Sequence, residues 1–255
     1  FFAKNIIDLQ EIISQAKKDN LTICPKGSNN SYGDEFQNEN NIVVDTTNMN
    51  KILSWDSNKG IMIVEPGVTI QQILKICLKD NWILTAIPGT RFPTIGGCVT
   101  NNVHGKNSYE DGNFGDCVIE FDILLASNDI VTCAIDQNSD LYYAAIGGIG
   151  LMGVFTNITL QLKKVPSPNI LVSKWTVPNL QQMLNELMKA SKKYDYTIGQ
   201  VDCFAKNGKL GRGTIHAASF SRDYINNEKF LIDLDVPKKV FSVISNDLLL
   251  KLGKI

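Results

Sequence analysis

Apolar residues recur at helical spacing from Ile6 to Ala16, where Ile6, Ile7, Leu9, Ile12, Ile13 and Ala16 are separated by polar positions, and this predicts an amphipathic helix. A short strand, Leu21 to Cys24, is expected to follow. Ile42 to Val44 and Ile61 to Val64 are brief apolar runs between turn residues and predict strands buried in a sheet. Thr69 then opens a second helix with Ile70, Ile73, Leu74, Cys77 and Leu78 on one face, and Gln72 completes a capping box. Val118 to Leu125 and Ile130 to Ala134 read as a hairpin turned by Ser127, Asn128 and Asp129. Ser139 is expected to cap a short helix bearing Leu141, Tyr142 and Ala145, and Val154 to Leu162 alternates like a strand. Pro166 and Pro168 mark a boundary between residues 1–166 and 167–255. Beyond it come a strand (Ile170 to Thr176), a helix (Asn179 to Lys192) and two further strands (Thr197 to Asp202, Thr214 to Ser219). The order is α+β throughout.

Three stretches do not fit core-building patterns. Pro88 to Asn107 concentrates Gly89, Gly96, Gly97 and Gly105 with Thr90, Thr94, Asn101 and Asn102, and ends in His104-Gly-Lys-Asn107. Glycine permits close backbone approach at an entropic cost, so the run reads either as N–H groups wrapped round a phosphate or flat ring, or as a long irregular surface loop. Pro25 to Asp34 is a second such loop, placed at a strand end where phosphate loops sit. Gly147-Gly-Ile-Gly-Leu-Met-Gly153 looks superficially like a dinucleotide fingerprint, but a helix precedes it and a strand follows, the reverse of the Rossmann order. It is expected to be a tight helix-to-strand turn passing close to a ligand.

Composition narrows the chemistry. The 25 Lys and Arg nearly balance the 26 Asp and Glu, and Arg91, Arg212 and Arg222 are scattered, so no nucleic-acid surface is indicated. The six cysteines show no CxxC spacing and several sit in apolar contexts, which reads as buried free thiols in a reducing, cytoplasmic setting. No apolar segment approaches a membrane span and no signal peptide is visible, although the chain opens with Phe1. With only His104 and His216, no metal site is expected. His216, in a strand, reads as an ordinary satisfied or solvent-facing imidazole. There is no GxSxG elbow. Lys106 is the better chemical candidate: it can stabilise developing negative charge in a ligand loop, or it is simply a solvated surface lysine.

The segments PKGSNNSYGD, PGTRFPTIGGCVTNNVHGKN, DGNFGDCV and GGIGLMGVF, in that order, resemble the FAD-linked oxidases of the vanillyl-alcohol oxidase and p-cresol methylhydroxylase fold. The resemblance covers nearly the whole chain and is strong before Pro166, weaker after it apart from YTIGQVD and LGRG. It implies an FAD-binding domain of two α+β subdomains over residues 1–166, followed by part of an α+β substrate domain that Ile255 ends early. The flavin pyrophosphate then falls to Pro25, Lys26, Gly27, Ser28, Asn29, Asn30, Ser31, Tyr32, Gly33 and Asp34. Gly89, Thr90, Thr94, Ile95, Gly96, Gly97, Asn101, Asn102, Val103 and His104 form the second FAD loop, with Phe155 a backbone contact. Lys106 and Tyr32 are the catalytic candidates. Many relatives hold the flavin through a histidine where this chain has Asn30, so the resemblance implies non-covalent FAD. Asn29 stands where the family usually has glycine, and asparagine is the next best residue for a left-handed conformation. The implied activity is oxidation of a secondary alcohol of a sugar-like or lipid-linked substrate, polyprenyl-phosphoryl ribose at its 2′ position in cell-wall polysaccharide synthesis, with a partner reductase and work at a membrane surface. A sugar-lactone or other alcohol oxidase using oxygen, and an FAD module without turnover, are the alternatives.

Overall fold

The computed structural model describes residues 1–222. Helix α1 (Ile6–Asp19) begins where Asn5 accepts a hydrogen bond from Asp8 N–H and ends at left-handed Asn20, whose N–H returns to Ala16 and Lys17. Its buried stripe is Leu9, Ile13 and Ala16. Strand β1 (Ile23–Lys26) pairs in parallel with β2 (Ile42–Asp45). Leu9, Ile13 and Ala16 join Ile42, Val44 and Met49 in a small core that also takes in Leu124 and Val154.

Next come β3 (Ile52–Asp56) and β4 (Ile61–Val64), an antiparallel pair with an irregularity between Ile52 and Ser54. Helix α2 (Ile70–Cys77) is capped by Thr69 with the reciprocal Gln72 contact, as the sequence predicts. The strand β5 (Trp82–Ile83) follows. The expected loop from Pro88 to Asn107 is broken by a helix, α3 (Ile95–Thr100), and is followed at once by α4 (Ser108–Asp111).

Strands β6 (Val118–Leu124) and β7 (Ile130–Ala134) form the expected hairpin, with Asn128 at φ +78° in its turn. Helix α5 (Ser139–Ala145) has left-handed Asn138, not the expected Ser139, in the N-cap position, and no side chain caps it; Asn138 tolerates that conformation and its amide donates to Thr132 O instead. Strand β8 (Val154–Gln161) does not alternate: six of its eight residues are buried. The reason is position. Val154 faces the small core, while Phe155, Ile158 and Leu160 face the main one.

The main sheet is antiparallel in the order β3-β4-β8-β6-β7, with α2 and α3 supplying Ile70, Ile73, Cys77, Ile95, Cys98 and Val99 to its core. A two-stranded ribbon joins β5 to β9 (Lys163–Lys164). Finally β10 (Ile170–Val177), α6 (Leu180–Ser191), β11 (Tyr196–Val201) and β12 (Gly213–Phe220) form a three-stranded antiparallel sheet, order β10-β12-β11, backed by Met183 and Leu187 of the helix. The class is α+β. Residues 223–255 of the expected substrate domain lie outside the described residues.

Candidate functional site

The three glycine-bearing stretches meet. A Cβ on Gly27 would overlap the hydroxyl of Thr94, and one on Gly150 would stand 2.8 Å from Pro25 Cγ. Gly147 N–H donates to Val99 O (3.0 Å) and Ile149 N–H to Thr100 O (2.9 Å), so the third stretch is bonded to the far end of α3. Asn102, at φ +41°, accepts from Gly115 N–H at 2.9 Å and lies against Gly147. One patch thus joins the end of β1, both ends of α3 and the turn before β8.

Within the first stretch, Pro25 and Lys26 belong to β1, and Lys26 Nζ lies 3.5 Å from Asp45 Oδ2. Asn29 is left-handed, φ +59°, as its sequence position predicts. The Asn30 amide turns back on Ser28, reaching its hydroxyl at 2.7 Å and its carbonyl at 3.1 Å. Ser31, Tyr32, Gly33 and Asp34 are exposed, and the Tyr32 side chain makes no hydrogen bond or ring contact among the described residues. No backbone N–H from Gly27 to Phe36 donates to an acceptor among the described residues. A run of unspent donors on a loop beside buried Thr94 is the donor set an anionic pyrophosphate requires.

The second stretch divides into two kinds of residue. Gly89 and Thr90 are exposed, and a Cβ on Gly89 would meet nothing within 4 Å. Thr94 caps α3, and its neighbours are committed to the fold: Ile95 N–H goes to Val68 O (2.7 Å), Gly96 N–H to Pro66 O (2.8 Å), and the Ile95 side chain is fully buried. Gly97 N–H reaches the Thr94 hydroxyl at 3.4 Å, and the Asn101 amide returns to Gly97 O at 3.0 Å. The N–H groups of Ile95, Gly96 and Gly97 at the α3 terminus are thus spent within the fold, whereas those of Gly89 and Thr90, like those of the first stretch, donate to no acceptor among the described residues. Val103 packs against the main core, and His104 Nδ1 lies 3.2 Å from Gly105 O. Phe155 is buried, its ring 4.7 Å from that of Phe121, so only its backbone remains for a ligand.

Lys106 is exposed, and its carbonyl accepts from Thr197 N–H of β11 at 3.1 Å. Tyr109 Oη donates to Tyr194 O at 2.7 Å a few residues on. The turn carrying His104 and Lys106 is thereby joined to the sheet that follows residue 167. Tyr196, on β11, has its phenol pushed up by burial and by the nearby Asp111 and Asp195 carboxylates, so it stays protonated. Sequence reading passes over Asn107, which is buried here and donates to Thr85 O and Asp111 Oδ2, both at 2.7 Å. Its only signal was its place in the HGKN tetrad. Among the described residues no three His, Cys, Asp or Glu side chains gather as a metal site, and no helix is long and apolar enough to cross a membrane.

A family profile described as an FAD binding domain matches residues 1–134. The chain belongs to this FAD-binding family. Its cofactor is FAD. The decaprenylphosphoryl-beta-D-ribose oxidase of Mycolicibacterium smegmatis is 29% identical to this FAD-binding chain over 217 residues, 84% of the chain and 47% of that protein. A putative D-arabinono-1,4-lactone oxidase of Neurospora crassa is 23% identical over 64% of the chain and 29% of its own length. A D-lactate dehydrogenase of Anaerostipes hadrus is 24% identical over 65% of the chain and 36% of its own. The chain spans less than half the length of each. All three bear oxidoreductase names, and the patch where the glycine stretches meet includes residues both inside and beyond the matched segment.

Proposed function

We propose that residues 1–166 are the FAD-binding domain, and residues 167–255 part of the substrate domain, of an oxidoreductase that oxidises a secondary alcohol of a sugar-like substrate. Polyprenyl-phosphoryl ribose oxidised at its 2′ position is the first candidate. What supports the reading is the meeting of three glycine stretches beside a turn whose lysine carbonyl is bonded to the next sheet. FAD, when bound, supplies a hydride acceptor. The backbone donors of Gly27 to Asp34 hold its pyrophosphate, with Thr94 closing the loop from behind. Asn30 carries an amide, not a nucleophilic imidazole, so the flavin is held without a covalent bond.

Lys106 would hold its ammonium beside the alcohol oxygen and favour the alkoxide-like charge there as a base contributed by the substrate domain takes the hydroxyl proton. Tyr32 lies on the pyrophosphate loop, and its exposed phenol contacts the substrate side. A lipid-linked substrate brings the protein to a membrane surface without a span. The similarity to a lactone oxidase favours a second reading, a sugar-lactone or other alcohol oxidase that passes electrons to oxygen.

FAD titration into purified apoprotein tests the cofactor assignment. At about 100 times Kd, binding stabilises by roughly 2.7 kcal/mol, visible as a rise in the thermal midpoint with bound-flavin absorbance. Absence of both would sink it. Lys106→Met is expected to lower kcat for a short-chain polyprenyl-phosphoryl ribose by about 100-fold while leaving flavin content unchanged. Turnover of sugar lactones with oxygen, in place of that substrate, selects the second reading, and loaded protein inert to both classes is a binding module.

A further inference from the structure

We propose that Asn107, Asp111 and Lys163 form a positioning clamp that fixes the turn carrying His104 and Lys106 against the β5–β9 ribbon. The proposal rests on the FAD-oxidoreductase reading for its effect on turnover, but not for its structural content. Asn107 is the residue at the start of α4, a place where asparagine ordinarily turns its side-chain oxygen onto the helix's own free N–H groups. Here it makes no such bond. Its amide nitrogen is aimed the other way, to Thr85 O just past β5 and to Asp111 Oδ2 at the end of α4. Asp111 in turn receives Lys163 Nζ on both carboxylate oxygens, at 2.8 and 2.7 Å. Lys163 lies in β9, opposite Ile83 of β5. The chain of contacts therefore closes on itself: ribbon, asparagine, aspartate, lysine, ribbon.

Two observations show that this arrangement is not simple filling. Asn107 is 1% exposed, yet its Oδ1 has no hydrogen-bond partner among the described residues, so a cap bond within reach of the type has been given up. The same oxygen also fills the space where a Cβ on Gly105 would have to sit, so any side chain next to Lys106 would have to displace Asn107. On the other side the turn is held by Thr197 N–H on the Lys106 carbonyl. The backbone of Lys106 is thus restrained from two directions, while its side chain remains exposed and free to meet a ligand. Misplacement of a charged group by about 1 Å can cost about 100-fold in rate, which is reason enough for so much anchoring.

The test uses FAD-loaded protein and four variants, Lys163→Met, Lys163→Arg, Lys106→Met and the double variant Lys106→Met with Lys163→Met. Lys163 is partly exposed, so its replacement is tolerated by the fold, and arginine can keep the paired contact to Asp111. Hydrogen–deuterium exchange is expected to quicken about 10-fold or more in Lys163→Met at the Glu110, Asp111 and Thr197 amides, which donate to the Asn107 and Lys106 carbonyls, to return towards the parent rate in Lys163→Arg, and to stay unchanged in the main sheet. Exchange at these three amides that is unaltered, or that rises equally everywhere, overturns the clamp. With a short-chain polyprenyl-phosphoryl ribose, Lys163→Met is expected to lower kcat about 10- to 100-fold with KM little changed, and to add no further loss in a Lys106→Met background. Additive losses would mean that Lys163 does not act through Lys106, against the proposal. Full turnover by Lys106→Met would instead remove the role given to Lys106, while the exchange result still decides the clamp.

Discussion

Ile149 holds φ at +54°, and every other non-glycine residue in the left-handed region among the described residues is an asparagine. A β-branched side chain resists that conformation, at about 1–2 kcal/mol. The strain persists because Gly147 and Ile149 N–H groups are tied to the carbonyls of Val99 and Thr100, where the third glycine stretch meets α3. Ile149→Gly is expected to raise the thermal midpoint by about 2–4 °C, read by differential scanning calorimetry, a shift of about 1 kcal/mol in a chain of this size. Gly27→Ala should act in the opposite sense. Its new methyl would displace Thr94, and flavin titration should show at least a tenfold weaker Kd, about 1.4 kcal/mol. Individual residues differed in how much the sequence disclosed. Asn29 was readable as left-handed because its own chemistry dictates the conformation, whereas the role of Asn107 depends on Thr85, Asp111 and, through the latter, Lys163, distant partners that only folding brings together.

Among the elements, α2 was legible to its cap because every signal lies within one turn: Thr69 accepts from Gln72 N–H, and Gln72 Oε1 accepts from Thr69 N–H at 2.8 Å. Thr69→Ala should therefore lower unfolding stability by about 1 kcal/mol in urea titration, with an unchanged m value. Helix α3 was hidden for the opposite reason. Two glycines, a valine and a threonine in six residues give it little intrinsic tendency, and it exists because Thr94 caps it and Val68 and Pro66 take its first N–H groups. Strand β3 escaped notice as well, since its exposed Leu53 and the irregularity before Ser54 erase the period-two pattern. The glycine-rich stretch reads from sequence either as a ligand loop or as an irregular surface loop, and which of its N–H groups are free is a tertiary fact.

At the scale of the molecule, burial of cysteines makes stability depend on alkaline pH. Burial raises the Cys77 and Cys117 thiols to about 12, and drives Cys98 the same way. An unfolded thiol ionises near 8.5, so above that pH the unfolded chain has lost protons that the folded chain still holds. Stability must then fall as pH rises through the range from about 9 to 12, by up to roughly 1.4 kcal/mol per pH unit for each such thiol. Urea titrations in reductant at pH 8 and pH 10 measure it, and equal midpoints would contradict it. At pH 8 a thiol reagent should label exposed Cys203 at once and leave Cys77, Cys98, Cys117 and Cys133 until the chain unfolds.

The order β3-β4-β8-β6-β7 also governs how the protein is made. Strand β8 is the last of the five to be synthesised, yet it is the middle one, so β3–β4 and β6–β7 are two separate hairpins until residues 154–161 leave the ribosome. The turn of Gly147 to Gly153 immediately precedes that strand. A chain cut at residue 134, where the family match stops, would lack both that turn and the strand that makes one sheet of two hairpins.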